Sequence, residues 1–115
     1  MEAPLPPDFR EFLQLLNAEQ IEYLLVGGYA VSFHGYSRPT GDLDVWVAVH
    51  PSNAARLVAV LRRFGFATAQ ASDVESLAHG KILRMGLPPV RIELMGGISG
   101  VEFDACYRRR INAAI

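Results

Sequence analysis

The six residues Asp42-Leu43-Asp44-Val45-Trp46-Val47 constrain this chain more than any other stretch. Their β-branched and aromatic content marks a strand, and alternate side chains of a strand share a face. Leu43, Val45 and Val47 therefore turn toward a core, while Asp42 and Asp44 turn the other way, about 7 Å apart along the chain. Two carboxylates at that spacing repel. Either they form a solvated strand end, or a divalent cation lies between them. Hard oxygen ligands suit Mg²⁺ or Mn²⁺, which bind through a few carboxylates together with substrate phosphates.

Around this strand the hydrophobic period changes repeatedly. Asp8 with Glu11, just after Pro6-Pro7, predicts a helix N-cap with a reciprocal partner. Phe9, Phe12, Leu13 and Leu16 then recur at helical spacing to about Asn17. Tyr23 to Val26 is a short apolar run closed by Gly27-Gly28 and reads as a buried strand. Residues 29–36 read as a helix, stopped by Gly35 and the Arg38-Pro39 break. The strand at Asp42 is expected to reach Val49. After Pro51, Leu57, Val60, Leu61 and Phe64 form one apolar stripe with Gly65 as its stop, capped by either His50 or Ser52. Ser72 with Glu75 predicts a short helix ending near Gly80. Residues 81–85 and 90–95 read as strands joined through Gly86-Leu87-Pro88-Pro89 in a hairpin, and residues 101–110 as a final helix. The resulting order predicts an α/β (α+β) fold, a mixed β-sheet of about four strands flanked by helices.

With 115 residues the chain makes one domain, 1–115. Its net charge of -1 argues against a broad basic nucleic-acid surface, though not against a local patch. Ten of the eleven basic residues are Arg, which favours bidentate phosphate contacts; a compositional bias of the source explains it equally well. Cys106 stands alone, so no internal disulfide forms and a reducing compartment is expected. No signal-peptide layout opens the chain, and no apolar run approaches the roughly 20 residues of a membrane span. A cytoplasmic protein without membrane contact is the expectation.

Two further features join the aspartates. Gly27-Gly28 lies between a strand and a helix, where glycine permits a tight turn or lets a phosphate reach the backbone and the helix N-terminus. Glu93 sits in the apolar strand Val90-Arg91-Ile92-Glu93-Leu94-Met95, on the face opposite Ile92 and Leu94. A carboxylate there is costly if buried without a partner. An ion pair with Arg91 or Arg84 answers that cost, and so does a share in the metal held by Asp42 and Asp44.

A glycine pair opening a helix, two acids one residue apart on a strand, and a third acid on a later strand together resemble the nucleotidyltransferase superfamily related to DNA polymerase β. The text from Val26 to Val47, with Gly27-Gly28, Arg38-Pro39-Thr40 and Asp42-Leu43-Asp44, is more particularly similar to the AbiEii-type abortive-infection nucleotidyltransferases. The similarity extends from about Phe9 to Tyr107. It implies the nucleotidyltransferase fold and transfer of a nucleoside monophosphate from an NTP to an acceptor hydroxyl on RNA, protein or a small molecule. Asp42, Asp44 and Glu93 would be the catalytic residues and hold Mg²⁺ or Mn²⁺, with Glu93 serving the acceptor side. Gly27, Gly28, Arg38 and Thr40 would bind the nucleotide.

Two departures qualify this carry-over: Glu stands where the third acid is more commonly Asp, and longer relatives add a C-terminal helical segment carrying a nucleotide-handling Lys. The resemblance implies a toxin-like component of a toxin–antitoxin or phage-defence system, as a homo-oligomer or with a partner protein. The alternative is a non-catalytic nucleotide-binding or partner-subunit module of the same fold. For the remaining candidates structural readings lead: a packed or solvated His34, core or interface packing for Trp46 rather than base stacking, a charged helix end for Arg108-Arg109-Arg110, and a small buried Cys106.

Overall fold

The structure, a computed structural model, describes residues 6–27, 42–87, 90–97 and 102–110. Helix α1 spans Pro7–Ala18. Its start differs from the expected Asp8 cap: Pro6 is the N-cap residue and Pro7 occupies the first turn. Proline presets a helical φ and needs no N–H partner at that position, so the helix begins before Asp8 can cap it. Asp8 lies instead in the first turn, where its charge complements the helix dipole.

Strand β1 (Tyr23–Val26) pairs antiparallel with β2 (Asp42–Val47). Helix α2 (Pro51–Phe64), the short helix α3 (Ala71–Glu75) and a 3₁₀ turn (Ser76–His79) then cross to β3 (Ile82–Leu87). Strand β3 forms an antiparallel hairpin with β4 (Val90–Met95), and β4 lies parallel to β2. The strand order is β1-β2-β4-β3, a four-stranded mixed sheet, and α4 (Phe103–Arg108) follows. The expected helix over 29–36 and the Pro88-Pro89 tip of the hairpin lie outside the described residues.

One face of the sheet carries the core. Leu43, Val45 and Val47 of β2 and Ile92 and Leu94 of β4 are buried there against Phe9, Phe12, Leu13 and Leu16 of α1 and Leu57, Val60 and Leu61 of α2. The other face bears the charged residues and, further along β2, Trp46. That indole is 2 % exposed and meets Phe103 of α4 edge-on, with ring centroids 5.2 Å apart. Among the described residues no helix is long and apolar enough to cross a membrane.

The helix caps show which local options won. His50 caps α2, its Nδ1 accepting from the Asn53 N–H at 3.2 Å, whereas the Ser52 hydroxyl accepts from Arg56. At α3 the expected Ser72 and Glu75 give way to Gln70 and Asp73, whose carboxylate accepts from the Gln70 N–H at 2.9 Å. Glycines 65 and 80 end their segments with φ of 127° and 87°.

Asn53, fully buried, has a role the sequence did not announce. Its Oδ1 accepts from the Glu22 N–H at 2.7 Å, and its Nδ2 donates to the carbonyls of Glu22 at 3.2 Å and Ala48 at 2.6 Å. This amide ties the start of α2 to the approach to β1. It also takes the carbonyl just past Val47, so β2 ends there rather than at Val49. Asn53→Ala should cost about 3 kcal/mol, because it leaves buried backbone groups unsatisfied. Asn53→Asp should be no milder, since it turns an acceptor toward two carbonyls. Urea unfolding of both variants checks this.

Candidate functional site

The burial of Leu43 and Val45 sends Asp42 and Asp44 to the opposite face of β2, and the burial of Ile92 and Leu94 does the same for Glu93 on β4. The parallel register sets Asp42 beside Arg91 and Asp44 beside Glu93. One carboxylate oxygen from each acid then lies within 4.8 Å of the others. All three residues are partly buried. The spot lies over the first half of β2 and the middle of β4, next to the C-terminal end of β1, where Val26 pairs with Asp44.

Three like charges this close need counter-charges. Arg84 Nε donates to Glu93 Oε2 at 2.8 Å across the β3–β4 hairpin, and Arg91 donates to Asp42 Oδ2 at 2.9 Å. Glu93 is the more enclosed member of its pair, its side chain 15 % exposed against 55 % for Arg84. Asp44 has no ion pair among the described residues. Its carboxyl is pushed above the ordinary value of 3.8 by burial first, then by the charges of Glu93 and Asp42, and by a hydrogen bond with Glu93. Arg91 is raised in turn, chiefly by its hydrogen bond to Asp42.

The donor set fits a hard divalent cation: three carboxylates from two adjacent strands, with oxygens close enough to share one ligand sphere and water completing it.

Each residue singled out by sequence can now be placed. Asp42, Asp44 and Glu93 come together, and Gly27 lies against Asp44. Gly28, Arg38, Thr40 and His34 lie outside the described residues. Trp46 is packed on Phe103. The final arginines form a charged helix end: Arg108 donates to the carbonyl of Asp104 and Arg110 to that of Tyr107, and the Arg110 guanidinium lies 3.9 Å over the Tyr107 ring. Cys106 departs from expectation. It is partly exposed, because α4 is a short surface helix with no buried residue.

Sequence reasoning named both Arg84 and Arg91 as partners for Glu93 without choosing between them. The register makes the choice, giving Glu93 to Arg84 and leaving Arg91 to Asp42.

The raised pKa of Asp44 has a definite sign. Above its ordinary value, the folded chain holds the Asp44 proton more tightly than the unfolded chain does. Folding stability attributable to this group therefore falls as pH rises through that interval, and the deficit persists at neutral pH. In metal-free buffer Asp44→Asn should melt higher than the parent at pH 7, and the gap should shrink as pH falls toward 4; thermal unfolding in EDTA across that range measures it. No family model, curated protein or solved structure matches this chain.

Proposed function

We propose that this chain is a metal-dependent nucleotidyltransferase, moving a nucleoside monophosphate from an NTP to an acceptor hydroxyl. The observation that carries the reading is the convergence of Asp42, Asp44 and Glu93 on one spot. The similarity of the text from Val26 to Val47 to nucleotidyltransferases, and the glycine-ended strand beside the acids, support it. A divalent ion bound by the three carboxylates would neutralise charge on the phosphates and polarise the reacting oxygens.

The chain's own residues do the rest. Asp42 and Asp44 hold their oxygens in fixed positions on a strand, so little reorganisation accompanies reaction. Glu93 takes the proton of the acceptor hydroxyl as its oxygen bonds to the α-phosphorus, and the bond to pyrophosphate breaks with the electron pair leaving on pyrophosphate. Gly27, Gly28, Arg38 and Thr40 take the triphosphate side. On the same reading the acceptor lies on RNA, protein or a small molecule. The setting is a cytoplasmic toxin–antitoxin or phage-defence system, with a second copy or a partner protein assisting.

One observation favours a second reading, a non-catalytic nucleotide-binding or partner-subunit module. Arg84 and Arg91 already neutralise two of the three acids, so most of the cluster's charge is answered without a metal. Incubation with labelled NTPs, Mg²⁺ and total cellular RNA or protein separates the two: transfer of label supports the enzyme, and nucleotide binding without transfer supports the module. Asp44→Asn should abolish Mg²⁺-dependent NTP binding while leaving the far-ultraviolet circular dichroism unchanged. Undiminished magnesium-dependent affinity in that variant would reject the site.

A further inference from the structure

Gly27 follows Val26, the residue of β1 paired with Asp44, so the chain leaves the sheet beside that carboxylate. Its φ is +73°, in the left-handed region that L side chains disfavour. The space a Cβ would fill at this position is already taken. Asp44 Oδ2 stands inside any permissible contact with it, and Asp44 Cγ and Cβ are 3.4 Å and 3.6 Å away.

We infer that Gly27 is a positioning residue for Asp44: lacking a side chain, it leaves the end of β1 open for the Asp44 carboxylate, which thereby points at Asp42 and Glu93. The inference rests on the metal-site reading above and changes the part Gly27 plays in it. The glycine makes room for a ligand supplied by the chain itself, before any phosphate arrives.

Other glycines show why this one bears on the site. A Cβ at Gly96 would press on the Leu77 carbonyl and on Val49, and one at Gly86 on the Val90 carbonyl; these obstacles are backbone and a packed aliphatic side chain and concern packing. At Gly27 the obstacle is the free end of a side chain. A substitution there is relieved by turning the carboxylate aside, which spares the fold and removes one of three oxygens from the cluster.

Mn²⁺ alone, titrated calorimetrically, is the probe, since it reports the carboxylates without the triphosphate. Gly80 supplies the control, with φ of +87° and nothing within 4 Å of an added Cβ. Gly27→Ala and Gly80→Ala both place a side chain at left-handed φ and should lower the melting temperature, Gly27→Ala by more because its Cβ also meets Asp44. Only Gly27→Ala should weaken Mn²⁺, on the order of 10–100-fold as for loss of a ligand-orienting contact. Gly27→Asn, which brings a Cβ while tolerating left-handed φ, should do the same and serves if the alanine variant does not fold.

Mn²⁺ affinity unchanged in the Gly27 variants, or equally weakened in Gly80→Ala, overturns the inference. Failure of the parent chain to bind Mn²⁺ overturns the metal reading instead. Metal-free melting then decides the contact: in an Asp44→Ala background the penalty of Gly27→Ala should shrink to that of Gly80→Ala, and a penalty that does not shrink overturns it.

Discussion

The pairing of β2 with β4 is the constraint on which the rest of this structure depends. Both strands bury alternate residues against α1 and α2, and five aliphatic side chains fix their parity. A one-residue slip would put Asp44 or Glu93 into hydrocarbon, at a cost far above that of any single surface contact. The acids are therefore held where they are by side chains on the other face of the sheet. Facing like charges destabilise a strand pair, and here the core overrides that repulsion.

The arginines complete the balance. Arg84 and Arg91 stand on strands of the same sheet as their acids, so these pairs are built by register rather than by long side chains reaching from elsewhere. Both pairs are partly open to solvent, which keeps their net contribution small. Asp44, between them, bears the residual repulsion.

Much of this was legible because the decisive signals are periodic. The two-residue alternation in β2 and β4 put Asp42, Asp44 and Glu93 on core-opposed faces, and the stripes of α1 and α2 marked the helix residues that are buried. Strand order was less legible, since nothing local says that β4 rather than β3 lies next to β2. The choice of arginine for each acid follows from that order and stayed open for the same reason. The role of Asn53 was hidden because its partners are backbone groups of Glu22 and Ala48, and a backbone group leaves no mark in the sequence. The caps at Asp8 and Ser72 failed because competing local chemistry, Pro7 in one case and Asp73 in the other, sat within two residues.

Helix α4 also divides the polar face of β2 into two kinds of surface. With Phe103 set edge-on against the indole, β2 changes along its length from an ionic strip to an aromatic lid. The indole beneath that ring is almost wholly covered, so the strand shows no bare aromatic surface at Trp46. The three acids keep partial exposure on the same face, so access to that face of the sheet is unequal along its length.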